Sequence, residues 1–116
     1  IMFRAFNNNT CNVAGGGTNP CTLDHEIEEY NHETGKLIAW VRVPKLYYNS
    51  ESDRTVIYMY YGNSCITSSI ENASGVWDPN YYKAVWHLKE TPDSNAGTYE
   101  IKDSTGFHNG SSVLCP

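Results

Sequence analysis

Long apolar runs and clusters of basic residues are both missing from this sequence of 116 residues. The apolar stretches are only a few residues long, far short of the ~20 that a helix needs to cross a bilayer. We therefore expect no membrane insertion. Lys and Arg number 8 against 13 Asp and Glu, which gives a net charge of −5 at pH 7. Because an acidic surface repels phosphate backbones, nucleic-acid binding is not expected either.

Charged residues are scarce, at 18% of the chain, below the roughly 25% of an average globular protein. The polar surface must then come from Asn, Ser, Thr and Tyr, a profile typical of secreted proteins. The chain also starts at Ile1 rather than Met, and we expect a processed or excised piece. The low charge content favours an extracellular or cell-surface location.

Signatures of catalysis and metal binding are lacking as well. The four histidines show no HExxH or other ligand spacing, and there is no GxSxG elbow. We expect no metal and no cofactor, and interpret His87 as a half-buried packing residue. Glu26 and Glu28 lie about 7 Å apart on one strand face, within the range of an inverting glycosidase pair. Catalytic carboxylates normally face each other across a cleft, so we predict no catalytic residue and no enzyme.

A calcium site is the one metal alternative that the sequence leaves open. The DSTGFHN segment offers oxygen atoms from four side chains, namely Asp103, Ser104, Thr105 and Asn109. The competing interpretation is an Asx-type turn in which the Asp103 carboxylate accepts hydrogen bonds from the backbone that follows it.

The four cysteines are predicted to form disulfides, since no CxxC pair and no His at zinc-finger distance is present. Three pairings are possible, and we favour Cys11–Cys21 with Cys65–Cys115, because the first pair brackets a glycine-rich loop. Four buried free thiols are the alternative. Asn-x-Ser/Thr glycosylation sequons occur at three positions, Asn8, Asn72 and Asn109.

The pattern along the chain predicts a mostly β protein, an antiparallel β-sandwich or jelly roll stapled by disulfides. Residues 1–23 are predicted to be a Cys/Gly/Asn-rich loop segment, and 24–116 a β-sandwich domain, with a single domain overall. DHEIEEY and KLIAWVRVP predict a hairpin whose turn ends at Gly35. RTVIYMYYG, apolar on both faces, predicts a central strand. KAVWHLKE, TYEIKD and SSVLC predict further strands, and SSIENASG a short helical turn.

Aromatic residues are abundant, with three Trp and nine Tyr, several in adjacent pairs. We expect Trp40 and Trp86 to lie in the core. The GVWDPNYY segment lies in a loop, where exposed rings offer flat apolar faces to sugars or protein partners. The sequence therefore predicts a ligand-binding site made of Trp77, Asp78, Asn80, Tyr81 and Tyr82.

Six motifs carry a family resemblance, in this order: DHEIEEY, AWVRVP, VIYMYYGN, GVWDPNY, VWHLKE and DSTGFHNG. Residues 24–112 resemble a bacterial and archaeal domain of unknown function. It is found in large surface and secreted proteins and in some MotA/TolQ/ExbB-type proton-channel proteins. The domain commonly precedes a concanavalin-like, laminin-G-type jelly roll. The family usually has a longer upstream segment with further strands, where this sequence has a Cys/Gly/Asn loop. The resemblance implies a surface location and a binding or scaffolding role, and it transfers no catalytic residues.

These observations lead to two functional expectations. The first is a non-catalytic extracellular binding or adhesion module that recognises carbohydrate or a protein partner. The alternative is a structural subunit of an extracellular filament or surface assembly, because exposed strand edges pair between copies unless they are protected.

Overall fold

The computed structural model describes residues 1–6, 10–11, 20–50, 53–91 and 98–113. These residues form a mostly β, antiparallel structure, as predicted, and one disulfide joins Cys11 to Cys21. The strands are β1 Met2–Ala5, β2 Cys21–Leu23, β3 His25–Asn31, β4 Lys36–Val41, β5 Tyr48–Ser50, β6 Asp53–Arg54, β7 Ile57–Tyr60, β8 Thr98–Ile101 and β9 Gly110–Val113. A four-residue helix, α1 Ala73–Val76, overlaps the end of the predicted helical turn SSIENASG.

The chain divides into two compact units, unit 1 (Ile1–Asn72) and unit 2 (Ala73–Pro116). The single domain over 24–116 stays a prediction.

Unit 1 is built around β1, the middle strand of a three-stranded antiparallel sheet with the order β2-β1-β7. Side chains alternate between faces along a strand, and Phe3 and Ala5 point into the core, where both are buried. Ala39 and Val41 of β4 pack against this core from the other side. The β3–β4 hairpin is therefore a second layer over the sheet, an arrangement of the β-sandwich class.

The expectation that regular structure begins only at Asp24 is wrong. β1 and β2 both precede it, and they pair through Phe3–Leu23, Arg4–Thr22 and Ala5–Cys21. The apolar alternation of β1 is too short to stand out locally, and its stability comes from partners distant in sequence. Residues 12–19, the glycine-rich part of the predicted loop, lie outside the described residues.

The β3–β4 hairpin agrees with the sequence pattern. Gly35 has a φ of 71°, the left-handed conformation that a glycine adopts at little cost. The Oδ1 atom of Asn31 accepts the N–H groups of Glu33 and Thr34 at 2.9 and 3.0 Å, which fixes the turn. The pairing register shifts between Ile27 and Glu29, so the strand carries a bulge there.

The predicted central position of the RTVIYMYYG strand is wrong. β7 lies at the edge of its sheet and pairs with β1, and all four of its side chains are exposed. An apolar pattern on both faces indicates that the side chains favour burial. It does not determine how many neighbouring strands the segment has. The central place belongs to β1. The segment before β7 holds the small β5–β6 hairpin.

Unit 2 contains α1 and the antiparallel β8–β9 pair, which confirms the TYEIKD and SSVLC strands. KAVWHLKE is not a strand, and within it Trp86 alone forms an isolated bridge, to Asp103. Leu88 has a φ of 55°, which a residue other than glycine rarely adopts and which interrupts an extended backbone.

Candidate functional site

The predicted ligand-binding residues lie together on a tight turn that directly follows α1. The carbonyl of Asp78 accepts the N–H groups of Tyr81 and Tyr82, both at 2.9 Å. The Oδ1 atom of Asp78 accepts the backbone N–H of Asn80 at 3.0 Å and its side-chain Nδ2 at 2.8 Å. Pro79 restricts the backbone at the second position of the turn. The sequence Asp-Pro-Asn thus folds locally into a stiff support for the two tyrosines.

Trp77 lies at the base of this turn between two other rings. Its indole meets the Tyr82 ring edge-to-face, with centroids 5.1 Å apart and planes at 85°. The His87 ring lies 6.0 Å away at 58°. Trp77 and His87 are both half-buried. The half-burial of His87 against the Trp77 ring agrees with its predicted packing role. Trp77 in turn contacts the Tyr82 ring and supports it.

Tyr81 and Tyr82 are the rings of this site that face solvent. Tyr81 is 78% exposed and Tyr82 44% exposed. A phenol ring held out from a stiff turn presents a flat apolar face and a hydroxyl, and it loses little conformational entropy on binding. We name the group formed by Trp77, Asp78, Asn80, Tyr81 and Tyr82 the aromatic turn.

The polar side chains of the aromatic turn shape the loop. Asp78 Oδ1 already accepts two hydrogen bonds from Asn80, so it holds the turn in position. The sequence placed these residues beside the rings as direct ligand contacts, and the structure adds that they order the backbone beneath the rings.

Trp40 and Trp86 are not core residues, contrary to expectation. Both are exposed, and both indole N–H groups donate hydrogen bonds, Trp40 to Glu28 Oε2 at 2.6 Å and Trp86 to the His108 carbonyl at 3.0 Å. The N–H group of an indole needs a polar partner. The partners that the two indoles find here, Glu28 and the His108 carbonyl, lie at the surface, and the rings therefore stay there.

Glu28, one of the two carboxylates considered for catalysis, therefore holds the Trp40 indole in place. It lies at the bulge between Ile27 and Glu29, where the regular alternation of strand faces is interrupted. A bonded carboxylate at a strand irregularity is a structural feature of this hairpin.

The DSTGFHN segment is organised by the buried carboxylate of Asp103. Its Oδ1 atom accepts the N–H groups of Val85 at 2.7 Å and Thr105 at 3.0 Å. Its Oδ2 atom accepts the Thr105 hydroxyl and the N–H groups of Phe107 at 3.3 Å and His108 at 2.9 Å. This arrangement is the Asx-type turn, the alternative to a calcium site. Five hydrogen-bond donors occupy the carboxylate.

The electrostatics of Asp103 follow from the same contacts. Burial acts to raise the pKa of Asp103, because it disfavours the charged form. The hydrogen bonds from the Thr105 hydroxyl and from the N–H groups of Val85, Thr105 and His108 outweigh burial and hold the pKa well below its ordinary value. Asp103 is therefore an ionised acceptor inside unit 2 at neutral pH.

The cysteines divide into a bonded pair and a free thiol. Cys11 and Cys21 form a disulfide with their Cα atoms 5.5 Å apart, as predicted. Cys65 is a free, exposed thiol in the structure, so the predicted bond to it is not formed. Cys115, its predicted partner, lies outside the described residues.

The sequons differ in their surroundings. Asn72 and Asn109 are exposed, but their side-chain nitrogens donate to Asp24 at 2.8 Å and to Glu100 at 2.9 Å. Asn8 lies outside the described residues, and Thr10, the hydroxyl residue of its sequon, is fully buried. Glycosylation at the three positions stays a prediction.

Unit 1 also contains a cleft of about 600 Å³ that no sequence pattern indicates. Its walls include Ile1, Ile27, Tyr60, Tyr61, Ile66 and Ile70. These residues come from three separate parts of the chain, so no local pattern could have identified the cleft.

The described residues include neither a membrane-spanning helix nor a group of metal-ligating side chains. Across them, α1 included, the structure holds no helix with the length and apolarity that a bilayer crossing requires. Over the same part of the chain, no three or more His, Cys, Asp or Glu side chains are grouped so that they could share a metal ion.

Comparison with known proteins gives one result. A family model described as "Domain of unknown function (DUF2341)" matches residues 16–82, more than half of the chain. The match includes the first four of the six motifs and ends before VWHLKE and DSTGFHNG. No curated protein and no solved structure matches the chain significantly.

Proposed function

The chain belongs to the DUF2341 family of domains of unknown function, and we propose that it is a non-catalytic binding module of a secreted or cell-surface protein. The Cys11–Cys21 disulfide supports this location, since such bonds form and persist in oxidising compartments. The use of Glu28 to hold Trp40 supports the non-catalytic part of the proposal.

Carbohydrate is the ligand class that we assign to the aromatic turn. The observation that carries this proposal is the exposure of the Tyr81 ring on a turn whose backbone is fixed by Asp78. Sugar rings have apolar C–H faces that stack on aromatic rings, and hydroxyl edges that bond to polar side chains. The Tyr82 ring beside Tyr81 enlarges the stacking surface.

The test is the binding of a glycan array by a Tyr81→Ala variant. Loss of a stacking ring that dominates binding costs about 1–3 kcal/mol, which is a loss of affinity of roughly 5- to 150-fold. Tyr30→Ala, which removes an exposed tyrosine from unit 1, is the matched control and should bind as the wild type does. Equal binding by the wild type and Tyr81→Ala would show that this ring is not the recognition element.

A second candidate function, a structural subunit of an extracellular assembly, is favoured by a different observation. The edge strand β7 exposes apolar side chains along its whole length, and such edges pair with other chains. Sedimentation of the purified chain tests this candidate directly, because a subunit of an assembly should exceed the mass of one chain.

A further inference from the structure

The outer edge of β7 is a regular strand edge that no described strand covers. β7 pairs with β1 through four consecutive residue pairs, from Met2–Tyr60 to Ala5–Ile57, without a register shift. In the sheet order β2-β1-β7, it is the last strand. A straight, unbulged strand presents its backbone N–H and C=O groups as a template for another strand.

The core of unit 1 is open along this edge. Ile57 and Met59 stand opposite Ala5 and Phe3, so their side chains share the core face of the sheet. Ala5 and Phe3 are 0% and 7% exposed, whereas Ile57 and Met59 are 41% and 45% exposed. The difference lies in the neighbours, since β1 has a strand on each side and β7 has one. A further strand beyond β7 would cover these apolar side chains.

The usual protection of an exposed edge is missing from this segment. Residues 55–62, TVIYMYYG, contain no charged side chain and no proline. Soluble proteins commonly guard such edges with Lys, Pro or a bulge. The apolar pattern on both faces is typical of a central strand, which has a neighbour on each side. Among the described strands, β7 has one neighbour, β1.

We propose that the missing neighbour is β7 of a second copy of this chain, paired antiparallel about a two-fold axis. The inference rests on the assembly candidate above and deepens it, because it names the contact and the occupant. The pairing joins two three-stranded sheets into one of six strands. An antiparallel two-fold contact uses the same surface on both copies, and an uncharged segment meets its own copy without like-charge repulsion.

The apolar surface offered is large enough for such a contact. Six consecutive side chains, Val56 through Tyr61, are all exposed, and together they present several hundred Å² of apolar area, the order that one partner of a specific interface buries. These side chains alternate between the two faces of the sheet, three on each face, and a strand paired to β7 would cover part of both groups.

The cleft adds a pocket at the end of this edge, since Tyr60 and Tyr61 form part of its wall. In a two-fold register centred on Met59, Ile57 of the second copy lies opposite Tyr61 and Tyr58 opposite Tyr60, so that facing side chains share one face of the joined sheet. An aliphatic side chain then stands at the mouth of the cleft. In strand pairing of this type, backbone hydrogen bonds provide the affinity and pockets for alternate side chains provide the specificity.

The experiment is sedimentation of the full chain over a range of concentrations at about 0.05 and 0.5 M NaCl. The wild type should reach the mass of two chains, and more readily at high salt, because the net charge of −5 on each copy is then screened. Met59→Lys should weaken dimerisation at least tenfold, whereas Tyr30→Lys on the hairpin should leave it unchanged. Circular dichroism of both variants shows that they fold.

Amide hydrogen exchange of the wild type is the second measurement, and it does not depend on the folding of a variant. Amides of 57–60 should become more protected as the concentration rises. A wild type that stays monomeric overturns the assembly candidate and the inference together. A dimer that survives Met59→Lys and shows no protection at 57–60 overturns the β7 contact alone. Masses that grow beyond two chains overturn the two-fold arrangement. Such growth needs a head-to-tail contact, whereas a two-fold contact is complete with two copies.

Discussion

Phe3 of β1 and Met59 of β7 stand directly opposite each other in the sheet of unit 1, yet the first is buried and the second nearly half exposed. Two residues in one cross-strand pair thus belong to different environments. The apolar interior is centred on β1 and thins out towards β7, so the energetic cost of truncating a side chain should fall along the same direction.

Truncation of these two residues should show that gradient. Phe3→Ala should lower the free energy of unfolding by about 3–5 kcal/mol, because it leaves a cavity in the core. Met59→Ala should cost about 1 kcal/mol, since much of its surface is already in water. Urea unfolding of both variants measures the two values, and equal costs would contradict the open edge.

Removal of the Cys11–Cys21 bond should destabilise unit 1. The bond closes a short loop, and cross-links of this size contribute roughly 3 kcal/mol by restricting the unfolded chain. Because Cys11 is also fully buried in the core, the Cys11→Ser/Cys21→Ser variant should unfold at lower urea concentration. Cys65→Ser, which changes an exposed thiol, is the control and should unfold as the wild type does.

Asp103→Asn should destabilise unit 2 by about 2–4 kcal/mol. An amide cannot accept all five of the hydrogen bonds that the carboxylate accepts, and buried N–H groups left without an acceptor carry a desolvation cost. Amide exchange at Val85 and Thr105 is the sharpest measurement, and both should exchange faster. Unchanged protection there would show that the carboxylate does not organise the turn.

The stability of unit 2 should also depend on pH through Asp103. Its pKa is held below the ordinary value in the folded state, so its contribution is fully present above the unfolded-state pKa of about 4 and declines as pH falls below that. Thermal melting between neutral pH and pH 3 should show the loss. In Asp103→Asn this part of the pH dependence should be absent, which separates it from other carboxylates.

Trp77 and Tyr81, both in the aromatic turn, should respond differently to replacement by alanine. Trp77 is half-buried between Tyr82 and His87, so Trp77→Ala should lower the unfolding free energy by about 2–3 kcal/mol. Tyr81 is exposed, and Tyr81→Ala should change stability by less than about 0.5 kcal/mol. Melting temperatures of the two variants measure this contrast. A large loss from Tyr81→Ala would mean that its ring is a packing element.

Features that depend on short-range patterns could be predicted from the sequence. The β3–β4 hairpin follows from apolar alternation and from a glycine at the left-handed position of its turn. The turn at Asp103 follows from an Asp placed just before Ser, Thr and Gly. In each case the residues that decide the conformation lie within a few positions of one another.

Features that depend on distant partners could not be predicted. The central place of β1 is decided by pairing with β2 and β7, the latter more than fifty residues away. The exposure of Trp40 depends on an acceptor, Glu28, on the neighbouring strand. The aromatic turn falls between these cases, because its residues were identified from the sequence, while the role of Asp78 in fixing the backbone needed the geometry.

Attachment of a glycan to Asn72 would restrict the orientation of a side chain that holds the end of unit 1. The side-chain nitrogen that would carry the sugar donates to Asp24, and the backbone N–H of the same residue donates to the His25 carbonyl at 2.9 Å. Both contacts tie the end of unit 1 back to its hairpin. N-glycosylation replaces one of the two hydrogens of that nitrogen, so a glycosylated Asn72 would keep its bond to Asp24 only with the remaining N–H turned towards the carboxylate, and the sugar would then have a single direction in which to leave the surface of unit 1.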